Sequence, residues 1–366
     1  MLSTDSGIYF STGGTTSKGK NVFHSWSQFN FVNQIAAMKI KPYFDKLAVK
    51  KVANCLTSGN LWGGFLFGHE ICRYNNISSF PFCSHVDHDT LLNYINEYDI
   101  DTLFCLPSFA AKLYFECNDN RLFKIKNIFY LGEKFSEYNR NKIKLKAPDI
   151  TIIPLAYTTQ ETGVIGYQCP NCNDDNYHLF EHIDVDLNSG SKEILVSVNY
   201  PDGKKVDKHN TGDIGELSKL ICQCGFSGTN IILKGRNNHS SVILGTTISI
   251  DEFIECISSS LNNSYSVDPD SLQIISLENV NGTISVFVII LLELFHMIDN
   301  WNKCLHNSTL ISEIINDSAS FTVIGCSYKD FLLTKISEKK KHFHITHNNS
   351  QLTKLKAENT FIELKK

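Results

Sequence analysis

Between Gly7 and about Ile221 the chain alternates short apolar runs with stretches of helical periodicity, and this alternation restricts the fold more than any other feature. The runs KVANCLTS, DTLFCLPS, IKNIFYLGE and DITIIPLAYT are interleaved with DHDTLLNYINEYD and SFAAKLYFE. Strands separated by helices are joined most simply as parallel neighbours covered by those helices. The expectation is therefore an α/β fold with a mainly parallel sheet. In such sheets ligands sit beyond the C-terminal strand ends, where LPS, LGE and AYTTQE fall. After KGRNNHSSVILGTTIS the pattern becomes a helix (IDEFIECISSSL), a strand (SLQIISLE), an Asn-Gly type turn (NVNG), a strand (TISVFVIILLEL), a helix (STLISEIIND) and a late strand near HFHIT. That order predicts a small C-terminal α+β domain, 237–366, hinged on a large domain, 1–236.

With 366 residues, 42% of them hydrophobic, the chain can bury a large core in two or three domains. The net charge is −4, and no basic stripe is available to track a phosphate backbone. Lys339 to Lys341 and the terminal Lys365 and Lys366 read as solvated charge, so nucleic acid is not an expected partner. The first residues carry neither a charged n-region nor an apolar h-region. The longest apolar run, Ile284 to Phe295, is too short to span a bilayer and, being rich in β-branched residues, reads as a buried strand. No membrane is expected, and the predicted location is cytoplasmic. Twelve cysteines without an export signal point to reduced thiols or metal ligands.

The loop FSTGGTTSKGK, Phe10 to Lys20, lies between the apolar run GIYF and the helical stretch SQFNFVNQIAAMK. Its glycines let backbone N–H groups turn inward, its threonines add hydroxyl donors and its lysines add charge, so phosphate is the ligand such a loop suits. Gly14, Gly19 and Lys20 satisfy most of a Walker A pattern, but Asn21 stands where a Mg²⁺-binding hydroxyl is needed. Farther on, Cys169-Pro-Asn-Cys172 and Cys222-Gln-Cys224 are two close pairs, with His178 and His182 after the first. Paired thiolates with a nearby imidazole suit tetrahedral zinc.

In order, TGGTTSKGK, LPS, LGE, AYTTQETG, NTGDIGEL and KGRNNHSSVILG resemble the motif series of the adenylate-forming (ANL) superfamily, with the phenylacetate–CoA ligase branch as the nearest likeness. The resemblance runs over nearly the whole chain. It implies a large α/β domain with a small mobile C-terminal domain. The implied activity is ATP-dependent conversion of a carboxylic acid to an acyl-adenylate, followed by transfer to CoA or carrier phosphopantetheine. Thr12, Gly14, Thr15, Thr16 and Lys20 then match the family's grip on the β- and γ-phosphates, although Ser17 replaces a usual glycine and Gly19 a usual proline. Asp213 matches the carboxylate that holds the ribose hydroxyls of ATP or AMP, and Arg236 the arginine at the domain junction. Gly132 and Glu133 match the adenine-side wall. Tyr157 matches the tyrosine that packs on adenine, and Glu161 the ligand of Mg²⁺. Thr158 and Gln160 replace the family's glycine and threonine. The catalytic lysine of the small domain matches Lys356 best and Lys354 second, without the usual preceding glycine. The hinge position falls on Asn238.

Relatives of that branch resemble the cysteine pairs too. The implied zinc is structural, with ligands either Cys169, His178, Cys222 and Cys224 or the four thiolates including Cys172. Trp62, Phe65, Phe67 and His69, in SGNLWGGFLFGHE, lie where the family lines its acyl pocket, which favours an aryl or polyketide-like acid. The chain lacks the N-terminal helical segment of those relatives, like short homologues in secondary metabolism such as phenazine antibiotic biosynthesis. The expected partners are a small-molecule carboxylic acid, CoA or an acyl carrier protein, and a second copy in a homodimer. Two other readings stay open: an acyl-protein synthetase, and a catalytically weakened relative that binds nucleotide or acyl carrier as a scaffold.

Overall fold

Leu103 and Phe104 are neighbours on one strand and are both fully buried, which a strand achieves only when both faces of its sheet are covered. That strand is central to a five-stranded sheet in a computed structural model of the chain. The structure describes residues 6–11, 21–59, 61–132, 135, 137–172, 175–219, 221–236, 240–244, 246–261, 267–279, 283–331, 342–346 and 349–364. It divides into two compact units, Met1–Phe135 with Lys142–Asn237, and Ser136–Asn141 with Asn238–Lys366.

The first unit begins with a hairpin, β1 (Gly7–Ser11) and β2 (Asn21–Ser25), followed by helix α1 (Trp26–Lys46). Ser25 starts the helix with a capping box: its hydroxyl accepts from Gln28 N–H, and the Gln28 side chain accepts from Ser25 N–H. Next come β3 (Lys51–Cys55), α2 (Gly64–Tyr74), β4 (Ser78–Pro81), α3 (His88–Tyr98), β5 (Thr102–Cys105), α4 (Pro107–Glu116), β6 (Asn127–Tyr130), α5 (Glu137–Lys146), whose residues up to Asn141 belong to the second unit, and β7 (Thr151–Pro154). The strands pair in the order β4-β3-β5-β6-β7, every pair parallel. Leu103 faces Ile128 in register, and Phe104 faces Phe129. One face is covered by Leu91, Ile95, Phe109 and Leu113, and the other by Ile40 and Phe44 of α1.

The parallel sheet is present as the sequence pattern implies. An antiparallel one stands beside it that the pattern did not announce. It comprises β8 (Tyr157–Thr159), β9 (Gly163–Tyr167), β10 (Asn176–Leu179), β11 (Ile183–Leu187), β12 (Glu193–Asn199), β13 (Lys205–Ser218) and β14 (Asn230–Arg236), in the order β11-β12-β13-β14-β10-β9-β8. Strands such as β13 are polar along much of their length and lack the long apolar run that marks a parallel strand.

The second unit holds a hairpin, β15 (Ser240–Ile243) and β16 (Thr246–Ser249), then α6 (Ile250–Ser260), β17 (Leu272–Glu278), β18 (Ile284–Leu291), α7 (Leu292–Met297), α8 (Trp301–Leu305), α9 (Thr309–Asp317), β19 (Ser320–Cys326), β20 (Phe343–Thr346), α10 (Ser350–Glu358) and β21 (Thr360–Glu363). Its five-stranded sheet runs β20-β17-β18-β19-β21. β17 and β18 are antiparallel, as the Asn-Gly signal implied, and β18 and β19 are parallel. The run Ile284–Phe295 is a buried strand that turns into a short helix at Leu292. Among the described residues no helix is long and apolar enough to cross a membrane.

Phe129 sits at the centre of the first core, its ring 5.1 Å from that of Phe44 and 5.8 Å from that of Phe104. Replacement by alanine should destabilise this unit by about 3–5 kcal/mol, the range for emptying a buried aromatic site. Denaturant titration checks it.

Candidate active site and metal centre

The chain leaves the parallel sheet at β7 and enters β8 within three residues, so Tyr157 starts β8 just past the C-terminal end of β7. Its phenol donates to Asp213 Oδ2 at 2.8 Å and lies 3.3 Å from Thr211 Oγ1. The intervening Gly212 has φ +72°, a conformation that side-chain-bearing residues rarely adopt. The resulting turn lets Thr211 Oγ1 accept from Asp213 N–H at 3.1 Å while donating to the Ile194 carbonyl at 3.2 Å. The half-buried Asp213 carboxylate is thereby fixed beside the ring of Tyr157.

Gln160 and Glu161 occupy the turn between β8 and β9. Three contacts hold its backbone. His24 Nε2–H donates to the Gln160 carbonyl at 2.7 Å, Tyr200 Oη donates to the Thr162 carbonyl at 3.1 Å, and Thr162 N–H donates to Thr159 Oγ1 at 3.1 Å. His24 comes from β2, the strand that follows the Gly/Thr-rich loop. Burial lowers its pKa, partly offset by the Gln160 bond and the Glu161 charge, and keeps the ring neutral at physiological pH. The Glu161 carboxylate is about a quarter exposed and lies 3.6 Å from His209 Nε2 on β13.

The expected residues are brought together only in part. Tyr157, Gln160, Glu161 and Asp213 share one region, and Arg236 faces Asp213 across the β13–β14 ladder by its backbone. Gly132 follows β6 with φ +81°. Thr12, Gly14, Thr15, Thr16, Lys20, Glu133 and Asn238 lie outside the described residues. Trp62 and Phe65 line an apolar cavity of about 400 Å³ together with Ile8, Phe10, Leu61 and Leu66. Phe67 and His69 do not line it: on α2 Phe67 turns to the core and His69 to solvent, because residues two apart on a helix point in different directions. Lys356 and Lys354 belong to the second unit, on α10. Lys356 Nζ is 3.5 Å from Glu363 and 4.7 Å from the centre of the Phe361 ring, whereas Lys354 is 71% exposed.

The cysteine pairs converge. Cys169 Sγ lies 3.6 Å from Cys172 Sγ and 3.5 Å from Cys222 Sγ, and His178 Nε2 lies 3.4 Å from both Cys172 and Cys224. The donor atoms of Cys169, Cys172, His178 and Cys222 all fall within 4.8 Å of one another. His178 Nδ1–H donates to Asn230 Oδ1 at 2.5 Å, which leaves the Nε2 lone pair aimed at the thiols. Burial and nearby Lys39 lower the His178 pKa, with the Asn230 bond opposing. Cys169 N–H points at Cys172 Sγ and Asn171 N–H at Cys169 Sγ, both at 3.4 Å. This donor set fits a tetrahedral thiophilic ion. It combines features of the two expected ligand sets, since Cys172 and His178 both belong to the tight group and Cys224 stands at its exposed side.

Thr211 lies in the NTGDIGEL motif but was not itself assigned a role, and His24, His209 and Asn230 stand in no motif, because each meets its partner through pairing of distant strands. His182, which follows the first cysteine pair in sequence, packs instead between Phe31 and Phe180, with ring centroids at 5.0 and 5.9 Å.

No protein-family model matches the sequence, and no curated protein matches it. Solved structures do. A 2-hydroxyisobutyryl-CoA ligase in complex with 2-HIB-AMP superimposes with a TM-score of 0.62 over 96% of this chain and 75% of that one, at 11% identity. O-succinylbenzoate coenzyme A synthetase (MenE) from Bacillus subtilis, in complex with AMP, gives 0.50 over 93% and 69%, at 13% identity. ATP-bound MatB from Rhodopseudomonas palustris gives 0.51 over 93% and 64%, at 13% identity. The chain therefore has the mixed α/β fold of these solved structures.

His182 carries a pH consequence. Burial lowers its pKa from 6.5 to about 4, and among the described residues its buried Nε2 has no hydrogen-bond partner. Between those values the unfolded chain binds more protons than the folded one. Stability should therefore fall as pH drops from about 6.5 to about 4 and gain no further loss from this group below that. His182→Phe should flatten its share of this slope in denaturant titrations across the window.

Proposed function

We propose that the chain uses ATP to convert a carboxylic acid to an acyl-adenylate and passes the acyl group to CoA or to carrier phosphopantetheine. The observation that carries this reading is the Asp213 carboxylate, fixed by Tyr157 and Thr211 at the end of a parallel sheet whose fold is that of enzymes solved with AMP, ATP and acyl-AMP. A carboxylate can accept from both hydroxyls of a ribose, and a tyrosine ring beside it offers adenine a flat face. Adenylation joins a carboxylate oxygen to the α-phosphorus and expels pyrophosphate. Attack by a thiol on the acyl carbon then expels AMP. Both partners of the first step are anionic, so cations and positioning supply much of the rate.

Glu161, partly exposed on a pinned turn, suits Mg²⁺, which is commonly held by one carboxylate together with substrate phosphates. That ion would screen the phosphate charge, and Lys356 would add a cation at the α-phosphate. Gly132, Glu133 and Arg236 complete the proposed nucleotide contacts, and the Gly/Thr-rich loop takes the β- and γ-phosphates. The apolar lining at Trp62 and Phe65 favours an aryl or polyketide-like acid, in keeping with a role in secondary metabolism. The cysteine cluster is proposed as a structural zinc site formed by Cys169, Cys172, His178 and Cys222, joining β9, β10 and the segment before β14.

A second reading, a nucleotide-binding scaffold, is favoured by one observation. Gln160 stands where the resemblance calls for threonine, and its Oε1 lies so near Gly63 that a Cβ there would be 2.8 Å from it. ATP–pyrophosphate exchange with a panel of aryl acids separates the two readings. A ligase exchanges with at least one acid, and a scaffold with none. In the ligase, Asp213→Ala should weaken AMP binding by about 1.5–3 kcal/mol, the range for hydrogen bonds to a charged group. Lys356→Ala should leave AMP affinity unchanged but lower exchange by on the order of a hundredfold, as for loss of one transition-state donor. For the metal site, elemental analysis should find about one zinc per chain, and Cys222→Ser should lower both metal content and melting temperature. Protein purified under reducing conditions without metal would refute it.

A further inference from the structure

The backbone of the turn that carries Glu161 is held on both sides by His24, Tyr200 and Thr159. What this leaves undetermined is the direction of the Glu161 side chain, a flexible group with three rotatable bonds. Among the described residues its carboxylate is paired with one group, the imidazole of His209, at 3.6 Å from Nε2 to Oε2. Both side chains are about a quarter exposed, so the pair sits at the mouth of the region and not within the core. His24 acts on the same carboxylate only through its electrostatic field, because its own Nε2–H is committed to the Gln160 carbonyl.

His209 is itself well placed to steer. It lies on β13 two residues before Thr211 and four before Asp213, and both of those contact Tyr157 at the start of the strand that leads into the turn. Its Cα faces Val196 in the ladder with β12, which fixes the height of the imidazole relative to Asp213. The 3.6 Å spacing is just outside direct hydrogen-bond range. At that distance an imidazole biases a carboxylate's rotamer without consuming the lone pairs that a cation would need.

We propose that His209 is the positioning residue for Glu161, holding its carboxylate in the direction that receives the Mg²⁺ of bound ATP. This rests on the ligase reading of Glu161 given above. His209 touches neither nucleotide nor reacting atoms in this assignment. It acts through Glu161, and the consequence is a specific one: the gain in ATP affinity caused by Mg²⁺ depends on His209, while the affinity without Mg²⁺ does not.

The test measures ATP affinity calorimetrically in EDTA and in excess Mg²⁺, for the wild type, Glu161→Gln, His209→Ala, His209→Gln and the Glu161→Gln/His209→Ala double variant, with melting temperature as a check on folding. The expected result is a Mg²⁺-dependent gain in the wild type that Glu161→Gln abolishes and His209→Ala reduces by about three- to tenfold, the weight of one oriented polar contact. The double variant should lose no more than Glu161→Gln alone, since the two residues act through one carboxylate. His209→Gln, which keeps a polar N–H near the carboxylate, should recover part of the gain and remains informative if the alanine variant folds poorly. A Mg²⁺-dependent gain unchanged in both His209 variants would overturn the proposal and leave the ligase reading standing. Equal losses in EDTA and in Mg²⁺ would also overturn it, as the mark of a general structural role. A wild type without any Mg²⁺-dependent gain, or one in which Glu161→Gln keeps it, would overturn the assignment of Glu161 and this proposal with it.

Discussion

The hydrogen bond from Tyr157 to Asp213 ties β8, the edge strand of the antiparallel sheet, to β13 in its interior, at the point where the chain has just left a sheet built on different rules. β7 belongs to a parallel sheet buried on both faces, and β13 to an antiparallel sheet that is polar along much of its exposed side. The chain passes from one to the other in three residues, with Tyr157 the first residue of β8. A parallel sheet concentrates its ligand-binding loops beyond its C-terminal ends, and here the next element after that edge is the strand that carries the tyrosine. Thr211 and the left-handed turn at Gly212 then fix the carboxylate that the tyrosine meets. Without this junction Gln160 and Glu161 would be carried on an ordinary surface turn.

The parallel sheet was legible in the sequence because burial on both faces forces continuous apolar runs, as in TLFC and NIFY. The antiparallel sheet was not. KVDKHNTGDIGELS is a single strand of 14 residues with little apolar periodicity, and its bulge-like register shifts and positive-φ glycine break the alternation that would announce it. The same contrast applies at the site. Asp213 and Tyr157 stand in motifs with recognisable neighbours, so their type and place could be read. His24, His209 and Asn230 stand in no motif, and only the pairing of strands far apart in sequence gives each of them a partner. Phe67 and His69 show the opposite error: grouping them with Trp62 and Phe65 by sequence nearness ignored the helix that turns each of them to a different side.

The cysteine cluster is held in place by contacts outside the thiols themselves. Tyr43 of α1 donates to the Cys169 carbonyl at 2.6 Å, and Gly225, at φ +89°, sends its N–H back to the Cys222 carbonyl at 2.9 Å. The first contact ties one thiol-bearing loop to the long helix, and the second closes the other loop into a tight turn that only a residue without a Cβ adopts easily. Phe226, in the same turn, stacks on His178 with ring centroids 4.2 Å apart. The imidazole is thus fixed by Asn230 at one nitrogen and by an aromatic face, so that its remaining nitrogen has a set direction.

A lysine proposed to act on a phosphate must give up rotamer freedom, and how much of it has already been given up distinguishes Lys356 from Lys354. Lys354 projects from α10 into solvent with a carboxylate 3.9 Å away on its own helix, a geometry that holds little and is screened by water. Lys356, at 28% exposure, has its ammonium 4.7 Å from the centre of the Phe361 ring and 3.5 Å from Glu363, both on β21. An ammonium over an aromatic face keeps its charge while losing conformations, because the ring attracts the cation without neutralising it. The cost of ordering such a side chain, on the order of 1.5–2 kcal/mol for a free lysine, is then partly met before a ligand is present. Lys356 is for this reason the more ordered of the two.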